Sequence, residues 1–231
     1  MNNKPPIKLS IIIPVYNEKN TISVVLEKVK NIDIPKEIIV VDNCSTDGTK
    51  ELLKQIEGID QLILQPTNLG KGNSIRTAIP HVKGEFTIIQ DADLEYNPDS
   101  FYSLLNEAES GAFDVVYGSR LRGGVIRTRY VSYYFGVQVL TFLINKFFNA
   151  NLTDAATTYK LIRTHVLKSL NLRCHGFDLD FELTNQILKK GIKIAEITIP
   201  YTPRSFKDGK KIRAWDGLKA LKIIFKNFLF D

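Results

Sequence analysis

The chain is poor in cysteine and histidine and has no long uninterrupted apolar run. Its 231 residues include two cysteines, Cys44 and Cys174, and three histidines, His81, His165 and His175. The cysteines are widely separated and neither belongs to a Cys-x-x-Cys pair. That argues against a disulfide framework and a thiolate zinc site, and for a reducing compartment. The scattered histidines leave oxygen ligands to hold any metal, which favours magnesium or manganese. The opening stretch MNNKPPIKLS has no apolar signal core and no cleavage site. Residues 131–148 are the most apolar stretch, but Gln138, Asn145 and Lys146 interrupt it, so it reads as a poor spanning helix. Internal repeats and low-complexity segments are absent. The expected location is the cytoplasm.

What is present is the balance of a globular protein: 44% hydrophobic residues, 24% charged residues and a formal charge of +6. The length suits one large domain, alone or with a small appendage. Apolar runs at Leu9 to Val15, Glu37 to Asp42, Gln61 to Gln65, Phe86 to Gln90 and Asp114 to Gly118 read as short strands. Between them lie helical patterns. Ile22, Val25, Leu26 and Val29 share one face, and Phe101, Leu104, Leu105 and Ala108 another. A helix opening at Asp47-Gly48-Thr49 carries Leu52, Leu53 and Ile56, and another spans Lys71 to His81, broken near Pro80. This alternation predicts an α/β domain with a mostly parallel central sheet flanked by helices. Residues 123–150 are aromatic and apolar. A helix follows at about 179–190, then a strand at Lys193 to Ile199. The tail from Ala214 to Asp231 is an amphipathic helix, with Trp215, Leu218, Leu221, Ile224, Phe225 and Phe228 on one stripe and lysines on the other side.

In open parallel sheets, ligands bind beyond the carboxyl ends of the strands. Here those ends carry four polar clusters: Pro14-Val15-Tyr16-Asn17-Glu18, Asp42-Asn43-Cys44-Ser45, Asp91-Ala92-Asp93-Leu94-Glu95 and Gly118-Ser119-Arg120. No Gly-x-Gly-x-x-Gly follows the first strand and no Walker-type loop occurs, which excludes those nucleotide sites. Asp91 and Asp93, two positions apart at the end of an apolar strand, can turn toward one hard cation that also bridges a diphosphate. The competing reading is that either acid merely caps a turn.

These clusters, with the run Val-Val-Asp-Asn-Cys-Ser-Thr-Asp-Gly-Thr at 40–49 and Asn68-Leu69-Gly70-Lys71-Gly72, resemble the family 2 glycosyltransferases over roughly residues 9–213. The nearest branch by motif is the dolichyl- and polyprenyl-phosphate sugar transferases. The resemblance implies a GT-A nucleotide-sugar-binding fold in 1–213, with a nucleotide-binding half (1–118), an acceptor half (119–213) and the helix 214–231 added. It places Pro14, Tyr16, Glu18, Val41, Asn43 and Lys71 at the nucleotide. Asp91, Asp93 and Glu95 become ligands of magnesium or manganese, and Arg120, Arg204, Lys210 and Lys211 sit near phosphates. Two positions depart from the common pattern. Asn43 stands where many members have an aspartate, and Glu95 where this branch often has glutamine.

The implied reaction moves a hexose from a GDP- or UDP-sugar, with inversion. A lipid-phosphate acceptor at the cytoplasmic membrane face would need no base. A sugar hydroxyl in a polysaccharide or glycolipid would need a carboxylate such as Asp180, flanked by Asp178 and Glu182. First-turn acids of a helix are also a common electrostatic feature. The aromatic stretch and the tail are candidates for interfacial helices on an anionic membrane, for packing on the domain, or for contact with a second copy or a membrane-protein partner. No motif supports nucleic-acid binding. A nucleotidyltransferase would need a glycine-rich basic loop after the first strand, which Tyr16-Asn17-Glu18 does not supply. A non-catalytic nucleotide-sugar-binding protein is the remaining alternative.

Overall fold

A computed structural model describes residues 5–122, 131–205, 211 and 214–230. A seven-stranded sheet forms the middle layer. Its strands are β1 (Leu9–Val15), β2 (Lys36–Asp42), β3 (Gln61–Leu64), β4 (Phe86–Ile89), β5 (Val115–Ser119), β6 (Lys160–Arg163) and β7 (Ile194–Thr198). Their spatial order is β3-β2-β1-β4-β6-β5-β7. β1 pairs in parallel with β2 and β4, β2 with β3 and β5 with β7, whereas β6 runs antiparallel to both β4 and β5.

The strand side chains alternate between two cores, as a period of two requires. Leu9, Ile11, Ile13 and Val15 of β1 enter one core with Ile38 and Val40 of β2. The helices α1 (Ile22–Lys30) and α4 (Ser100–Ser110) close that side. Ile12, Ile39 and Val41 point the other way, toward α3 (Lys71–Ala78), α5 (Val131–Phe148), α7 (Leu179–Lys189) and α8 (Ala214–Phe230). Ile22, Val25, Leu26 and Val29 make up the buried face of α1. Burying each such side chain contributes about 1.5–3 kcal/mol before entropy is counted.

The remaining helices are short: α2 (Thr49–Leu53), and α6 (Thr164–Lys168) directly after β6. Ile56, expected on α2, lies beyond its end but still packs against the core. A 3₁₀ turn, Ile79–His81, finishes α3 at Pro80. β6 and α6 have no counterpart among the elements expected from sequence. Four strand residues are too few for a period to emerge, and Lys160, though fully buried, breaks the apolar run.

The tail helix is integral to the second core. Ala220, Ile223 and Ile224 are buried, and Phe228 stacks on Phe147 of α5 with ring centroids 4.6 Å apart. Among the described residues, no helix is long and apolar enough to cross a membrane.

Candidate active site

The sheet order reverses at β1, whose neighbours β2 and β4 lead the chain in opposite directions. That switch point is where an open α/β sheet leaves a crevice. A cavity of about 770 Å³ lies there. Pro14 lines it from the end of β1, Tyr16 and Glu18 from the loop that follows, and Asp91, Asp93 and Glu95 from the loop after β4. Asn43, Lys71, Arg120, Asp180 and Arg204 also line it. Val41 does not. It is fully buried in the second core, because the strand alternation turns it toward the helices. Lys210 lies outside the described residues.

The loops at this rim are tightly bent. Asn17, Cys44 and Leu94, one after each of β1, β2 and β4, have φ of 50°, 61° and 62°. Non-glycine residues in this region cost about 1–2 kcal/mol each, and such strain gathers at functional sites. Gly70 (φ 93°) and Gly72 allow a close approach. A Cβ on Gly72 would sit 2.8 Å from the Gly176 carbonyl oxygen. The N-terminus of α3 can therefore press against the loop before α7, which brings Lys71 to the acids.

Every carboxylate oxygen of the acid pair has a protein partner. Asp91 Oδ1 is 2.7 Å from Lys71 Nζ, and Oδ2 accepts from the Thr158 hydroxyl at 2.8 Å. Asp93 Oδ1 accepts from the Glu95 N–H at 3.1 Å, and Oδ2 is 3.2 Å from Arg204 Nη2. Burial and the charges of Asp91 and Glu95 push the Asp93 carboxyl up to about 7. Burial would also raise Asp91, but the Lys71 ammonium outweighs it and holds that carboxyl below its ordinary value. Lys71 is held above the ordinary lysine value, because Asp91 and Asp180 overcome its burial.

Beyond β7, Arg204 and Lys211 form a basic strap at the cavity. The Arg204 guanidinium donates to both Glu18 oxygens, at 2.9 and 3.1 Å, and Lys211 Nζ lies 2.6 Å from Glu18 Oε1. Lys211 also donates to the Tyr16 carbonyl. Glu95 accepts from Tyr201 Oη at 2.6 Å and from the Arg204 N–H at 2.8 Å. Glu18 and Glu95 thus anchor the strap. Among the described residues, no three acidic, histidine or cysteine side chains come together to hold an ion. The expected trio of Asp91, Asp93 and Glu95 is therefore not assembled, because Glu95 is turned to Tyr201 and Arg204. Asp91 and Asp93 still suit a magnesium- or manganese-type ion, which characteristically takes one or two carboxylates and completes its shell with substrate phosphates and water.

Arg120 is fixed. Its Nε and Nη2 donate to Asp154 at 2.7 and 2.8 Å, and its guanidinium carbon lies 5.1 Å from the Tyr201 ring centroid. Asp180 Oδ1 lies 3.3 Å from Lys160 Nζ. Burial pulls Lys160 below its ordinary value, against the opposing charge of Asp180. The other two acids of that cluster are structural. Glu182 accepts from the Arg173 and Cys174 N–H groups, and Asp178 from the Gly176 N–H. Asn43 is occupied at its loop, accepting from the Leu69 N–H and donating to Asn68 Oδ1.

Thr158, Asp154 and Tyr201 belong to this site without a motif to announce them. Because β6 is antiparallel, residues 153–158 arrive at the rim where β4 and β5 end.

The sequence model of Glycosyl transferase family 2 matches residues 10–170. The chain belongs to this family. Family 2 relatives include the low-salt glycan biosynthesis hexosyltransferase of Haloferax volcanii, 27% identical over 96% of this chain and 55% of its own. Another is the undecaprenyl-phosphate 4-deoxy-4-formamido-L-arabinose transferase of Yersinia enterocolitica, 28% identical over 88% of this chain and 62% of its own. The chain thus spans little more than half the length of these curated relatives. The glucosyl-3-phosphoglycerate synthase of Mycobacterium tuberculosis, solved with Mg2+ and uridine diphosphate, superposes with a TM-score of 0.73. It is 18% identical, and the match covers 95% of this chain and 79% of that one. The fold is GT-A, shared with this nucleotide-bound structure.

Proposed function

We propose that this family 2 glycosyltransferase transfers a hexose from a GDP- or UDP-sugar to a polyprenyl phosphate at the cytoplasmic membrane face, inverting the anomeric centre. The observation that carries this reading is the mixed lining of the cavity. Acids and bases from the β1 and β4 loops and the strap line it. Tyr133, Tyr134, Val137 and Leu140 of α5, with Gly217 of α8, provide an apolar wall. Outside that wall, Phe135 and Phe142 of α5 are each 61% exposed and Trp215 of α8 is 67% exposed. Such a surface suits the interface of a membrane that carries a lipid-linked acceptor. The Yersinia relative, whose acceptor is undecaprenyl phosphate by name, supports the same class.

In this scheme residues 1–118 hold the donor and 119–213 the acceptor, while 214–231 adds to the membrane-facing surface. Tyr16 and Asn43, which line the cavity, would hold the nucleoside. A divalent cation held by Asp91 and Asp93 would offset the negative charge gained by the departing nucleoside diphosphate. Lys71 and Arg204 reach the same diphosphate and position it. Arg120, fixed by Asp154, adds a permanent positive wall. An acceptor phosphate oxygen forms the new bond to the anomeric carbon as the bond to the diphosphate oxygen breaks. The attacking group is already anionic, so no proton needs removal. Lys211 and Arg204 orient it.

A second reading rests on Asp180, which lines the same cavity and would act as base for a sugar hydroxyl. The test is transfer of labelled sugar from UDP- and GDP-sugars, with manganese, to a short-chain polyprenyl phosphate and to free glycans. Product on the lipid phosphate supports the first reading. Product only on the glycans replaces it with the second.

A further inference from the structure

The acid pair is saturated by the protein itself. Lys71 and Thr158 occupy the two oxygens of Asp91, and Arg204 and the Glu95 N–H those of Asp93. Both Lys71 and Arg204 are largely shielded from water, at 14% and 13% side-chain exposure, so these pairs are only weakly screened. A cation arriving alone must displace Lys71 from Asp91 and Arg204 from Asp93, which would leave Lys71 with the neutral Thr158 hydroxyl and Arg204 with Glu18 alone.

A nucleoside diphosphate changes that balance. Its oxygens offer Lys71 and Arg204 a new anionic partner, and the carboxylates are released to the ion. From this we infer that Lys71 and Arg204 are internal counter-ions that hold the acid pair against free metal. They make divalent-cation binding depend on the diphosphate of the donor. The inference rests on the donor and metal site proposed above. It adds to that site an energetic coupling carried by two named side chains.

Coupling of this kind has a signature that a purely donor-binding role lacks. If Lys71 only gripped phosphate, removing it would leave nucleotide-free metal affinity unchanged. If it is a counter-ion, its removal exposes Asp91, and the ion binds better without any nucleotide. Arg204→Gln should act in the same direction through Asp93, independently of the packing around Lys71.

The experiment titrates manganese chloride into the full chain and follows the signal of free Mn2+ by electron paramagnetic resonance. It is run alone and with saturating UDP or GDP, on wild type, Lys71→Met and Arg204→Gln, with folding checked by thermal melting. Wild type should bind Mn2+ about tenfold or more tightly with the nucleotide than without it. Lys71→Met, Arg204→Gln or both should gain about tenfold in nucleotide-free Mn2+ affinity while losing nucleotide affinity. Wild type that binds Mn2+ equally well with and without nucleotide, or folded variants with no gain, would overturn the counter-ion role. Nucleotide that binds while Asp91→Asn leaves Mn2+ affinity unchanged would instead remove the acid pair as the metal site. Failure to bind either nucleotide would remove the donor site, and the inference with it.

Discussion

Arg204 Nη2 lies 3.2 Å from Asp93 Oδ2, although the two residues leave different strands and are more than a hundred positions apart. The same guanidinium grips Glu18, so one side chain ties the loops after β1 and β4 to the strap after β7. Those loops flank the sheet's switch point. Arg204 is therefore a cationic hub of the site, flanked by Lys71 on Asp91 and Lys211 on Glu18.

Replacing that hub should cost activity. Arg204→Ala is expected to lower turnover about a hundredfold, the scale of losing one charged group aimed at a developing charge. Asp180→Asn is expected to stay within about threefold of wild type, because an anionic acceptor needs no base. A loss of about a hundredfold or more in Asp180→Asn would instead fit general-base catalysis on a hydroxyl. Steady-state kinetics on both variants checks the pair.

The Asp93 carboxyl, raised to about 7 by burial and its acidic neighbours, sets a pH dependence of stability. Its value in the unfolded chain is about 4. The native state therefore holds this proton more tightly. The resulting stability is complete below about pH 4 and is lost as pH rises through about 7. Asp93→Asn, neutral at every pH, should match wild type near pH 4 and exceed it at pH 8 by on the order of 2–4 kcal/mol. Urea unfolding at the two pH values, with a chelator present, measures the difference.

Asp154 is completely buried and receives three hydrogen bonds from Arg120. Removing one partner of a buried pair strands the other charge. Asp154→Ala should therefore destabilise the fold by about 3–5 kcal/mol. Chemical denaturation reads this directly, and the loss should not depend on added nucleotide or metal.

The paired carboxylates after β4, the loop after β1 and the presence of a tail helix were legible because each is local. The tail's stripe was not: Ala220, Ile223 and Ile224 are buried, whereas Trp215, Leu218, Phe225 and Phe228 are exposed. Val41 misleads because its place in a motif says nothing about which sheet face it meets. Asp154 and Thr158 escape notice for the opposite reason. Their role depends on a four-residue antiparallel strand inserted between β4 and β5, a non-local pairing without a periodic signature. Glu95 reads as a metal ligand by sequence position. Its oxygens go instead to Tyr201 and to the Arg204 backbone, partners that only the chain's return from β7 supplies.

The exposed aromatics of α5 and α8 should carry membrane binding. Sedimentation with anionic vesicles is expected to capture wild type and to fall at least about fivefold for the double substitution Trp215→Ser and Phe142→Ser. Binding should weaken further as salt rises if Lys219, Lys222 and Lys226 of α8 meet anionic headgroups, since exposed charges are screened. Equal capture of the double variant would detach the lipid reading from these helices.

The central claim is tested most directly by anomalous diffraction from a crystal grown with manganese and UDP or GDP. The account predicts one manganese peak between the Asp91 and Asp93 carboxylates, shared with the diphosphate, with Lys71 and Arg204 moved onto phosphate oxygens. A nucleotide bound in the cavity with the metal elsewhere, and the two acids still paired to Lys71 and Arg204, would contradict it.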